Sequence, residues 1–513
     1  MKFTWFNLMP WPYLPDDFRQ KYRSVWVDID SKLFNPEKSH ELYNMYIDLL
    51  EHAGTLGFDG IGVNEHHQNA YGLMPSPNII AAGLARRTRD VGLVVLGASI
   101  ALYNPPLRVA EEFAMLDCIS GGRLIAGFPV GTSMDTNFCY GQIPALTREK
   151  YREANELIMR AWHEREPFAF NGRYTKLRYV NIWPRPIQQP HPPIHIPGGG
   201  SIETFDFCLD NTYSYSYLSF SGYVRGKALM QSYWDRVAER NMPDTSPYRA
   251  GFAQTVCVAD TDEEAERLYS KHVSYFYNRC LHVFPGFADA PGYRTIKTIQ
   301  KGVLSQYAPP ASGGLFPQLS WKEMVEGGYI IAGSPETVRQ RMEEMIKGLR
   351  VGNVFCLMHI GDMPKEKSMY STQLFAEKVM PKLRNIFPEY ASDNRFWCKQ
   401  WQTASRRARC LRKWICAPWR MRTTKGPSQW NSRPSKPSTC PSATMKAGKA
   451  SLWCSCTEPE DSISIRVFWP RWRRSSTSTR RWCPDMATAK SVPSFATCSI
   501  LRCTPGTWSA RWA

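Results

Sequence analysis

The 513-residue chain lacks any run approaching the roughly 18 apolar residues that span a bilayer. Its first residues, Met1-Lys2-Phe3-Thr4-Trp5-Phe6, carry no long apolar core with a small-residue cleavage site, so no secretory leader is expected. It has no CxxC pair, and the six cysteines before residue 390 (Cys118, Cys139, Cys208, Cys257, Cys280, Cys356) fall at no metal-ligand spacing. That usage suits buried thiols in a reducing compartment and excludes a disulfide scaffold. A cytoplasmic protein with no membrane association is the expectation.

Residues 1–390 also lack a charge excess, with 41 basic and 41 acidic side chains. The whole net charge of +18 lies in residues 391–513, which hold 23 Lys+Arg against 5 Asp+Glu, with 9 of the 15 cysteines and 11 of the 18 tryptophans. Stretches such as Arg471-Trp472-Arg473-Arg474-Ser475-Ser476 follow neither the helix nor the strand period. Arg, Ser, Trp, Cys and Pro together are what an out-of-frame reading of a GC-rich gene gives. The expectation is a globular domain over 1–390, then a non-globular tail over 391–513 in which the natural frame is lost after Tyr390. A basic, aromatic nucleic-acid arm is the functional alternative, since Arg and Trp together pair phosphates and stack bases. A disordered extension is the plain one.

In the first 390 residues strands and helices alternate. Strands are expected at Lys2–Met9, Phe58–Val63, Val91–Ile100, Arg123–Phe128, Ile194–Ile196, Tyr215–Phe220, Phe252–Val258 and Val354–Met358. Helices are expected at Ser39–Leu56, Pro77–Arg89 (capped by Ser76), Leu107–Ile119, Thr147–Trp162, from Ser201, Val224–Arg240, Asp262–Asn278, Pro335–Lys347 and Lys367–Arg384. Eight strands with intervening helices predict an α/β fold, a (β/α)8 TIM barrel with insertions, ahead of a doubly wound open sheet. Two aromatic-bearing insertions, Pro10–Pro36 and Pro285–Ser320, are candidate lids over a site at the C-terminal mouth, or surface decoration.

Three places offer chemistry. Asn64-Glu65-His66-His67 ends the second strand. The histidines can serve a proton relay, a metal or a hydrogen-bond network. Zinc is disfavoured, because neighbours on a strand end point in opposite directions and no further ligands stand at useful spacing. Gly198-Gly199-Gly200-Ser201 joins a strand to a helix start, where bare backbone N–H groups and the helix dipole favour an anion; it reads as a phosphate cradle or as a plain β–α turn. Arg148, at a helix start, would add a cation to that cradle or simply be solvated. The small residues Leu96-Gly97-Ala98-Ser99 suit either a flat ring lying on backbone or a tight core position.

The chain resembles the bacterial luciferase-like flavin monooxygenase family. The resemblance runs through Gly57-Phe58-Asp59 to Glu65-His66-His67, then Leu116-Asp117-Cys118-Ile119-Ser120-Gly121-Gly122-Arg123, Gly127-Phe128-Pro129-Val130-Gly131, Arg148-Glu149-Lys150-Tyr151, Gly198-Gly199-Gly200-Ser201 and Ala332-Gly333-Ser334-Pro335-Glu336. It implies a (β/α)8 barrel binding FMN at its C-terminal face. Reduced flavin would come from a separate flavin reductase and, with O2, oxidise a small organic substrate. It implies His66 as the catalytic residue and flavin contacts from Asn64, Gly97, Ala98, Arg148, Gly199, Gly200 and Ser201. Gly97–Ala98 is expected as a non-prolyl cis peptide, and a homodimer is expected. Luciferases proper carry cysteine then arginine where this chain has Pro129-Val130, which points to another branch. A deazaflavin-dependent dehydrogenase, or a flavin-binding protein without turnover, are the alternatives.

Overall fold

The computed structural model describes residues 1–398, except 132, 219, 289–291, 294 and 296–317, and beyond them four short strands. In chain order the strands of the first unit are β1 (Lys2–Phe6), β2 (Gly60–Val63), β3 (Gly92–Val95), β4 (Leu124–Gly127), β5 (Phe168–Asn171), β6 (Lys176–Val180), β7 (Ile194–Gly198), β8 (Ser214–Tyr217), β9 (Ala250–Val258), β10 (Ile330–Gly333) and β11 (Asn353–Leu357). Eight of them pair in parallel in the order β1-β2-β3-β4-β7-β8-β9-β11 and return to β1, closing a (β/α)8 barrel. These are the eight strands expected from the sequence; β1 to β4 are shorter than expected, β7 and β9 run two residues longer, and β8 and β11 start one residue earlier.

β2, β3, β4, β8, β9 and β11 are buried at every position, as a parallel sheet covered by helices requires. The first long helix, Pro36–Thr55, starts three residues earlier than its apolar pattern suggests. Asn35 caps it through the Lys38 amide (2.8 Å) and Pro36 sits where a missing N–H costs nothing. It turns Leu42, Tyr46, Leu49, Leu50 and Ala53 onto the barrel, at the spacing of one helical face. Ser76 stands at the N-cap of Pro77–Arg87, but its side chain makes no capping bond.

Two features were not expected. β5 and β6 form an antiparallel hairpin outside the barrel. β10 pairs with the far half of β9, at Thr255–Val258, above the point where β8 leaves it. Short apolar runs such as Ile330-Ile331-Ala332 do not distinguish strand from helix by period.

The domain boundary expected at residue 390 also moves. Ser392–Cys398 continues the first unit and closes the N-terminal base of the barrel. Phe396, Trp397 and Cys398 are buried. The buried His195 on β7 bonds through Nε2 to the Phe396 carbonyl (2.9 Å). Trp397 lies against Gly60 and Cys398 against Gly92, the first residues of β2 and β3. Arg395 ties the segment to Asp244 (3.0 Å), and Ser246 donates to Asp393 (2.6 Å). Trp397→Ala is expected to cost the barrel about 3 kcal/mol, the order for emptying a buried large aromatic, read by urea unfolding of the full chain. An unchanged midpoint would mean the segment is merely laid on the surface.

The second unit, Trp419–Ala513, is described only by two antiparallel pairs, Leu452–Ser455 with Ser464–Val467 and Arg502–Thr504 with Thr507–Ser509. The rest of the expected tail lies outside the described residues. Among the described residues no helix is long and apolar enough to cross a membrane, and the seven cysteines described in the first unit are free thiols.

Candidate active site at the C-terminal mouth

Because β2 and β7 run parallel, the loops that follow them open on the same rim. His66 and the triple-glycine turn therefore share one mouth.

The two histidines diverge, as neighbours at a strand end must. His66 Nδ1 lies 2.8 Å from Asp135 Oδ2, and the Asp135 side chain is fully buried. The same carboxylate oxygen accepts from the His67 amide (3.3 Å) and Asn69 Nδ2 (2.9 Å). His67 turns the other way, with Nε2 3.1 Å from Glu65 Oε1. Glu65 also accepts from the Ser99 amide (2.6 Å) and the Tyr103 hydroxyl (2.6 Å). Burial pushes both carboxyls up, but their partners outweigh it: the pairing with His66 holds Asp135 below the ordinary carboxylate range, and bonds from His67, Tyr103 and Ser99 do the same for Glu65. Burial and the neighbouring Glu65 charge push the Tyr103 phenol up, so it stays a donor.

The imidazole of His66 sits in an aromatic wall. Trp26, from the insertion after β1, stacks on it at 6.4 Å and 23°, and Tyr71 meets it edge-on at 4.5 Å. Phe220 packs on Tyr71 at 6.2 Å. The insertion Pro10–Pro36 thus reaches the site, and it is tied to the segment that precedes the second insertion. Val25 N–H donates to the His282 carbonyl (2.7 Å), and Arg279 donates to the Leu14 carbonyl (2.9 Å). Tyr307 and Phe316 of the second insertion lie outside the described residues.

The phosphate-cradle residues also come together. The helix carrying Arg148 begins at Pro144 rather than Thr147, so Arg148 stands just past its first turn. From there Nη2 donates to Ser201 Oγ (2.8 Å), and Ser201 Oγ lies 2.8 Å from Thr204 Oγ1. Ser201 occupies the N-cap of Ile202–Asn211 without a side-chain capping bond, leaving its hydroxyl to Arg148 and Thr204. Tyr293 covers the guanidinium, 4.4 Å from its ring centre. Val130, where luciferases have arginine, lines the same hollow as Arg148, Arg152, Glu203 and Thr204.

Gly200 has φ +95°, and a Cβ there would lie 2.1 Å from Leu229 Cδ1. Gly200→Ala is expected to destabilise the protein by about 1–3 kcal/mol through backbone strain, before the Leu229 clash is counted. Thermal melting reads it, and an unshifted melt would show that the turn relaxes freely.

Gly97 packs against the β2 loop: a Cβ would lie 2.4 Å from the Glu65 amide nitrogen. Ala98 is buried beside it. The cis bond expected at Gly97–Ala98 is not found. Cis peptides among the described residues precede prolines only, at Asn104–Pro105, Trp183–Pro184 and Gln189–Pro190. Strain at this position is not needed to bring the backbone close, because the missing Cβ already permits it.

Some polar atoms at this rim have no partner. Asn64 Oδ1, Asn7 Nδ2, Trp26 Nε1 and Asp135 Oδ1 are buried without a hydrogen bond. Unpaired buried polar groups are costly, so these atoms are open to hydrogen bonds from a polar ligand. Among the described residues no group of three His, Cys, Asp or Glu side chains suits a metal ion.

Sequence reasoning missed Asp135, Thr204 and Tyr103. Asp135 had one faint signal, an acid in the first turn after Ser133 on the short helix Met134–Cys139.

Comparison with known proteins bears on the family and the fold. The chain is 24% identical over 375 residues to 2,5-diketocamphane 1,2-monooxygenase 1 of Pseudomonas putida, covering 67% of this chain and 95% of the relative. It is 25% identical over 346 residues to limonene 1,2-monooxygenase of Rhodococcus erythropolis, covering 65% and 80%. The fold matches the oxygenating constituent of 3,6-diketocamphane monooxygenase from Pseudomonas putida, solved with FMN, at a TM-score of 0.57 and 17% identity, covering 75% of this chain and 99% of that one. The model of the family described as luciferase-like monooxygenase matches residues 34–351. On this match the chain belongs to the luciferase-like monooxygenase family.

Proposed function

We propose that the protein is an FMN-dependent monooxygenase that uses reduced FMN, delivered by a separate flavin reductase, and O2 to oxidise a small apolar organic substrate. The observation that carries this reading is the shared rim, with a carboxylate-held imidazole in an aromatic wall and an arginine–hydroxyl cluster at a helix start.

The residues present fit FMN. Arg148, Ser201 and Thr204, with the bare turn Gly199–Gly200, offer a cation, hydroxyls and helix-terminal N–H groups to a phosphate. Asn64 Oδ1 and Asn7 Nδ2, an unpaired acceptor and donor, suit the polar edge of a flavin ring. Gly97 and Ala98 form a side-chain-poor floor beside them. When bound, reduced FMN supplies the electrons for oxygen chemistry. Arg148 and Ser201 hold its phosphate end. His66 takes up and releases a proton at Nε2. Trp26, Tyr71 and Phe220 exclude water and offer an apolar surface to the substrate.

A homodimer in the cytoplasm completes the reading. The helices Pro77–Arg87 and Leu107–Ser120 leave Ile79, Met115 and Ile119 exposed on the barrel's outer layer, which supports a partner there.

The test is oxygen uptake by the protein with chemically reduced FMN across a panel of apolar substrates, with product mass showing one added oxygen atom. Turnover with a reduced deazaflavin and no oxygen uptake would replace this reading with the dehydrogenase. Tight FMN binding with neither activity would leave a flavin carrier.

A further inference from the structure

The two neighbouring histidines stand against two different carboxylates, through two different ring nitrogens. An ionised carboxylate only accepts hydrogen bonds, so the facing ring nitrogen must carry the proton. Asp135 faces Nδ1 of His66, whereas Glu65 faces Nε2 of His67. We propose that Asp135 is a positioning residue that locks neutral His66 with its proton on Nδ1 and its lone pair on Nε2, while Glu65 locks His67 in the opposite tautomer.

This deepens the function proposed above and rests on His66 exchanging a proton at Nε2. Asp135 is suited to the task because its position is set independently of His66. Its Oδ2 is held by the His67 amide and Asn69 Nδ2, and it stands on the helix Met134–Cys139, delivered by β4 rather than by the β2 loop. The ring is then fixed from three sides: Asp135 at Nδ1, the Trp26 face and the Tyr71 edge. Nε2 has no protein partner among the described residues and is the one polar atom of the ring left for chemistry. When Nε2 takes up a proton, the imidazolium remains bound to the Asp135 carboxylate. When it releases the proton, the same tautomer is restored, so no ring flip is needed. His67, with its Nε2 committed to Glu65 inside a bonded group of Ser99 and Tyr103, packs against Tyr140 at 4.7 Å rather than in the Trp26–Tyr71 wall and serves structure.

The titratable groups around His66 are Asp135 and Cys139 on the short helix, Glu65 and His67 on its own loop, and Tyr71 beneath it. The wild-type experiment is nitrogen-15 NMR of the full-length protein labelled at histidine, with His66→Gln and His67→Gln used for assignment. The expected spectrum gives His66 as the Nδ1–H tautomer and His67 as the Nε2–H tautomer. One shared tautomer, or a fast-exchanging mixture at His66, overturns the proposal whether or not the protein proves to be a monooxygenase. The second measurement is Asp135→Asn, which keeps the shape and removes the charge. Turnover is expected to fall roughly 10²-fold, the scale of a misplaced general acid–base group, with FMN affinity within about threefold and the pH profile displaced. Asp135→Glu is expected to recover part of the rate. Loss of FMN binding in parallel with rate, or no recovery by glutamate, would reduce Asp135 to a packing role.

Discussion

His66→Ala is expected to bind FMN within a few-fold of the wild type while product formation falls by roughly 10²- to 10⁴-fold, the span of a positioned proton-transfer group. The substitution should leave the fold intact. Asp135 keeps two donors, the His67 amide and Asn69, so no buried carboxylate is left without partners. Trp26 still rests on Tyr71 at 5.9 Å, so the aromatic wall survives the loss of the imidazole. Product per reduced FMN, beside a flavin titration, separates the two effects. Full turnover in the variant would remove His66 from the chemistry and leave the Asp135 pairing a structural brace.

The second large effect falls on the other side of the mouth. Hydrogen bonds to a charged group contribute about 1.5–3 kcal/mol each, so Arg148→Ala combined with Ser201→Ala should weaken FMN by about 10²-fold or more. Riboflavin has no phosphate and should change by less than about threefold. The ratio of the two dissociation constants is the measurement, because it cancels any general loosening of the barrel. Equal losses would place the phosphate away from the Arg148–Ser201–Thr204 cluster. Arginine is the demanding member: Arg148→Lys keeps the charge but loses the planar fork that meets Ser201 and Thr204 together.

Much of this site was legible because it lies at the ends of strands. Gly198-Gly199-Gly200-Ser201 and Asn64-Glu65-His66-His67 each follow an apolar run, and a parallel barrel brings all such ends to one rim. The parts that were not legible depend on long-range placement. Asp135 stands 69 residues from His66 and sits on a helix of six residues, too short to show a period. Thr204 lies in the first turn of Ile202–Asn211, where no sequence pattern marks it. The cis bond at Gly97–Ala98 came from resemblance and was not found, whereas the need for a small residue there came from physics and was. Phe396-Trp397-Cys398 was assigned to the tail on composition, because a tryptophan and a cysteine resemble the Trp- and Cys-rich sequence that follows. Their burial depends on His195, Gly60 and Gly92, which no local pattern connects to them.

That last segment bears on how the enzyme is to be handled in the laboratory. A shorter gene ended at codon 390 would take away the floor along with the basic extension. His195 would keep a proton with no carbonyl to receive it, and the glycine-lined start of β2 and β3 would be left open to solvent. A stop placed just beyond codon 398 removes the basic sequence and spares the floor, so failure of the shorter gene product would say nothing about the catalyst above it.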